Sequence, residues 1–78
     1  MMTEHEMLSR IKWDKKCEPA EFTVQYLDLK RLASIPYSAI KKIESGFMVI
    51  DKDGRDVDIP LHRIRVIRRK GEIVWQRK

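Results

Sequence analysis

The segment Pro60-Leu61-His62-Arg63-Ile64-Arg65 sets an imidazole and two guanidinium groups close behind a rigid proline. Neutral imidazole donates one hydrogen bond, and a neighbouring anion favours its charged form, which donates two. Guanidinium offers a planar fork that matches phosphate oxygens. The chemistry these types suit is the grip of a phosphate. If the segment is a strand, Arg63 and Arg65 point to one face and Arg69 can join them. His62, Arg63, Arg65 and Arg69 are therefore the candidate grip, with Arg68 and Lys70 left toward solvent or a nucleic acid backbone. Two plainer readings stand beside it: a histidine bonded within its own turn, and a charged edge strand that discourages aggregation.

The elements that must hold these groups are legible in part. Thr3 and Glu6 form a T-x-x-E capping box ahead of Met7, Leu8 and Ile11, which recur at helical spacing, so a short N-terminal helix is expected, with residues 1–5 disordered. Pro19 limits its reach. Phe22-Thr23-Val24-Gln25-Tyr26 alternates apolar with polar, the period of a strand exposed on one side, and predicts a first strand over roughly 22–30.

An internal repeat follows. Ile35-Pro36-Tyr37-Ser38-Ala39-Ile40-Lys41-Lys42-Ile43 matches Ile59-Pro60-Leu61-His62-Arg63-Ile64-Arg65-Val66-Ile67 at an offset of twenty-four, sharing the frame I-P-x-x-x-I-(K/R)-x-I. Each copy leads to a glycine and a β-prone run. Proline lacks an N–H and presets φ, so each Ile-Pro should end a strand and enter one helical turn. His62 and Arg63 occur only in the second copy; the first has Ser38 and Ala39. Asp53-Gly54 predicts a tight hairpin turn between the copies. The acids around it fail as a calcium loop, because Asp56 and His62 stand where glycine and glutamate are required. The expectation is an α+β fold: one short helix and about six short, mostly antiparallel strands in a strongly bent sheet or small barrel. Its core should draw on Ile11, Val24, Ile40, Ile43, Val49, Ile59, Ile64, Ile67 and Val74, with Trp75 also inward.

With 78 residues the chain supports a single domain spanning 1–78. The lone Cys17 forms no internal disulfide, and with only two histidines a cysteine-based zinc site is excluded; no metal or cofactor is expected. No apolar run approaches a membrane span, and a cytoplasmic location is expected. Charge is unevenly placed. Residues 1–62 hold ten basic and eleven acidic side chains, residues 63–78 seven and one, so the last sixteen carry the whole excess of a chain whose net charge is +5.

Arg10-Ile11-Lys12-Trp13-Asp14-Lys15, Tyr26-Leu27-Asp28, the P-L-H-R-I-R segment and Gly71-Glu72-Ile73-Val74-Trp75 together resemble the RNA cyclic-group end recognition domain, a family of small archaeal proteins also found fused within larger RNA-processing proteins. The resemblance covers residues 7–77. It implies binding of RNA 3′ termini bearing a 2′,3′-cyclic phosphate, beside an RNA ligase or nuclease. Trp13 beside Asp14, and Tyr26 two residues from Asp28, could stack on exposed bases and bond a ribose hydroxyl or base edge, with Lys12 adding a cation; Trp13 suits the core equally, and Asp14 and Asp28 can instead pair with Lys12, Lys15 or an arginine of the cluster. Two alternatives remain. A cyclic phosphodiesterase needs two positioned titratable groups, and here only His62 is well placed, with His5 in a helix end expected to fray; no residue is assigned a catalytic role. A protein-docking adaptor would use the same arginines.

Overall fold

A computed structural model describes residues 3–44 and 46–77. Helix α1 (Glu4–Trp13) begins where the capping box places it. Thr3 Oγ1 accepts the Glu6 N–H at 3.1 Å, while the Glu6 carboxylate accepts the Thr3 N–H at 3.3 Å. Residues 3–5, expected to be disordered, are thus the cap and first turn; Met1 and Met2 lie outside the described residues. Met7, Leu8 and Ile11 form the buried stripe. Asp14 turns extended and stops the helix.

After a 3₁₀ turn at Pro19–Glu21 the described residues form seven strands: β1 (Phe22–Asp28), β2 (Arg31–Pro36), β3 (Ile40–Glu44), β4 (Phe47–Lys52), β5 (Arg55–Pro60), β6 (Ile64–Arg69) and β7 (Glu72–Gln76). The α+β class holds, but the bent sheet or barrel does not. The strands form two antiparallel sheets, ordered β2-β1-β6-β7 and β3-β4-β5. The seventh strand arises because the run expected over 22–30 breaks at Asp28, where Leu29-Lys30 makes a two-residue turn into β2. Leu29 adopts φ +58°, a conformation that branched side chains rarely take, and so carries no turn signal in the sequence. Asp53-Gly54 and Lys70-Gly71, both with positive φ at each residue, link β4 to β5 and β6 to β7 as tight hairpins.

The repeat is what divides the sheets. In the first copy the chain leaves the four-stranded sheet at Pro36, makes a 3₁₀ turn over Tyr37–Ala39, and enters the three-stranded sheet. In the second copy it leaves that sheet at Pro60, turns over Leu61–Arg63, and returns. Both corners then carry the same irregularity. Ile40 pairs with Ile50 and Lys42 with Val49, so Lys41 is an extra residue; Tyr26 pairs with Ile64 and Gln25 with Val66, so Arg65 is the extra one. A bulge resets the two-residue alternation. It lets Ile64 and Ile67, three apart, both reach zero exposure on the inner face, which is the physical content of the I-(K/R)-x-I frame.

The core joins α1 to the inner faces of both sheets. Of the expected core, Ile11, Val24, Val49, Ile59, Ile64 and Ile67 are buried, and Ile40, Ile43 and Trp75 pack half-buried against it. Val74 is exposed because Ile67 pairs with Trp75 and Arg68 with Ile73, which leaves Val74 as the extra residue of a bulge and gives Trp75 the inward position.

Candidate nucleic-acid interface

The second corner is built to expose two of its three residues. Leu61 is buried, and its N–H donates to the Gly46 carbonyl at 3.0 Å, fastening the turn to the connection between β3 and β4. His62 and Arg63 are exposed. The Arg65 guanidinium folds back from the bulge and donates to the His62 carbonyl, which sets it against the turn that carries His62 and Arg63. Arg77 braces it from behind. Its Nε donates to the Ile64 carbonyl at 3.0 Å and its Nη2 to the Leu61 carbonyl at 3.4 Å, and Nη2 also meets Glu4 Oε2 at 2.9 Å. Its backbone N–H closes on the Arg65 carbonyl. One side chain thereby ties β7, the corner and the start of α1 together.

His62 opens onto a cleft of about 660 Å³ lined by Glu4, His5, Ile43, Glu44, Gly46, Leu61 and itself. Burial raises the Glu4 pKa, but a hydrogen bond from its own backbone, the Arg77 hydrogen bond and charge, and the His62 charge together outweigh it, so Glu4 titrates below the ordinary range. Glu44 meets Lys42 at 2.8 Å. Each carboxylate in the cleft thus faces a cation, which limits the repulsion an entering anion would meet.

Other expected site residues lie elsewhere. Arg69 sits at the far end of β6, about 17 Å along the strand from Ile64 at ~3.3 Å per residue, and its guanidinium forks onto Glu21 Oε1 at 2.9 and 3.0 Å. Alternation could not bring it to Arg65, because the bulge breaks the period and Arg63 lies in the turn. Tyr26 is 2% exposed on the inner face of β1, so its ring is core and has no surface for a base. Trp13 is 76% exposed with the Lys12 ammonium 5.2 Å from its ring centre. That pair stands near the C-terminal end of α1, about 12 Å along the helix from His5. Asp28 meets Lys52 at 3.7 Å and lines a separate cleft with Leu29, Lys30 and Arg31. Arg68 donates to Gln25 and to the Gly71 carbonyl on the outer face of its sheet.

The chain matches the MJ1316 RNA cyclic group end recognition domain over residues 1–77. It belongs to this family. A UPF0248 protein of Metallosphaera sedula is 32% identical over 77 residues, covering 97% of this chain and 94% of the relative. The UPF0248 protein SSO2687 of Saccharolobus solfataricus is 28% identical over 75 residues, covering 90% of each. No solved structure matches. The family description carries a coarse role, RNA binding at chain ends.

His5, Glu4, Glu44 and Arg77 entered the site only through packing. Arg77 was visible as part of the basic tail, but nothing marked it as a ligand of backbone carbonyls. His5 sits one residue into a helix whose contact with the second corner no local pattern encodes. Among the described residues no three His, Cys, Asp or Glu side chains converge to hold a metal ion, and no helix is long and apolar enough to cross a membrane.

Proposed function

We propose that this protein binds RNA 3′ termini ending in a 2′,3′-cyclic phosphate, with the terminal phosphate held at the second corner by His62, Arg63 and Arg65. The observation that carries the reading is the exposure of His62 and Arg63 on one short turn, with the Arg65 guanidinium drawn to the same turn, at the edge of an open cleft. The imidazole and guanidinium N–H groups supply donors and charge to the phosphate oxygens. Trp13 and Lys12, farther along α1, suit a base and a phosphate upstream of the terminus. An RNA ligase or nuclease is the partner class that such an end-reading module would serve.

The test is a titration of matched short RNAs ending in cyclic phosphate, 3′-phosphate and hydroxyl against wild type and His62→Ala. Tightest binding to the cyclic end, lost in the variant, supports the reading. Equal affinity for all three ends reduces the surface to general electrostatics.

A further inference from the structure

The cleft beside His62 is lined by a second histidine. His5, in the first turn of α1, lines it together with His62, and the two come from different elements. Cyclic-phosphate hydrolysis needs what this pairing offers: one group to take a proton from water and another to give one to the departing oxygen. We infer that the protein hydrolyses 2′,3′-cyclic phosphates, with His5 and His62 as the acid–base pair. The inference rests on the binding reading above, since the phosphate gripped at the corner must reach from His62 into the cleft that this residue shares with His5.

Two further features fit it. Glu4 is held ionised by its hydrogen bonds and by Arg77, and the charge of His62 reaches it. A carboxylate beside an imidazole can fix its orientation. The cleft is also open, so water reaches it.

The step balances without a further reactant. A water oxygen attacks phosphorus while one imidazole removes its proton. The P–O2′ bond breaks, its electron pair goes to O2′, and the other imidazolium protonates that oxygen. The product is a 3′-phosphate and a free 2′-hydroxyl, and proton exchange with solvent resets the pair. Breaking P–O3′ instead leaves a 2′-phosphate by the same count.

The charged groups that line the cleft with the two histidines are Glu4 from α1, ion-paired with Arg77 of the C-terminal segment, and Glu44 from β3, ion-paired with Lys42. A bell-shaped pH–rate profile is expected, one limb for each histidine. The experiment incubates a cyclic-ended short RNA with the full chain and follows the mass gain of one water. Wild type should turn it over, and His5→Gln and His62→Gln should each slow the reaction at least ~10²-fold. Unchanged thermal midpoints exclude misfolding; if either glutamine variant is destabilised, His→Asn at that position replaces it. No turnover by a wild type that still prefers the cyclic end overturns the inference and leaves the binding reading standing. Turnover unaffected by His5→Gln also overturns it. Loss of cyclic-end preference strikes the binding reading first.

Discussion

At the scale of single residues, the arginines divide by what already occupies them. Arg69 is held by Glu21, and Lys70 also meets Glu21, at 2.8 Å, so both tie the β6–β7 hairpin to the Pro19–Glu21 turn. Arg69→Ala should therefore lower the urea midpoint while leaving RNA affinity unchanged. Arg63→Ala should do the reverse, keeping the midpoint and making the salt slope of binding shallower by about 0.7 if it meets one phosphate of a single strand. Parallel denaturation and salt-titration series of the two variants check both. Arg77 serves the corner from inside. Truncating it leaves the Ile64 and Leu61 carbonyls and Glu4 short of a donor, so Arg77→Ala should cost about 1–3 kcal/mol in urea unfolding. Lysine should recover little of this, because one ammonium cannot reproduce the fork.

At the scale of elements, the sequence was most readable where local chemistry is strong. The capping box, the β1 alternation, the Asp-Gly hairpin and the repeated Ile-Pro corners all stand where their residues put them. What was not legible has nameable causes. Each corner bulge inserts Lys41 or Arg65 and so changes which residues share a face, and register is a property of the paired strand. The Leu29-Lys30 turn hid because leucine is a poor residue for positive φ. That misfit makes a prediction: Leu29→Asn, a residue that tolerates the left-handed region, should raise stability by roughly 1 kcal/mol in chemical denaturation. The candidate site was half legible. The His62-Arg63-Arg65 cluster could be read from one segment, whereas His5, Glu4 and Arg77 reach it only through the folded contacts of α1 and β7.

At the scale of the whole molecule, charge separates by region. Residues 51–58 set four exposed aspartates against one lysine and one arginine at the far hairpin of the three-stranded sheet, while the basic excess follows the second corner. Phosphate should be drawn to the corner and away from that hairpin. Acid should weaken the fold through its ion pairs. Glu21 titrates low because Lys70 and then Arg69 hydrogen-bond it, Asp14 because the Lys16 N–H and Arg10 do, and Glu4 for the reasons given above. A pKa depressed in the folded state means stability present above the unfolded value, 4.5 for glutamate, and lost as pH falls through the folded one. Glu21→Gln should therefore flatten the fall of the urea midpoint below about pH 4.5.

The most direct test of the whole account is to follow the backbone amide resonances of the protein as a cyclic-ended RNA is added. The corner reading predicts that the largest changes fall on Leu61 to Arg65 and on Glu4 and His5 across the cleft. Changes concentrated instead on the outer face of the four-stranded sheet, at Leu27, Leu32 and Ile73, would contradict it.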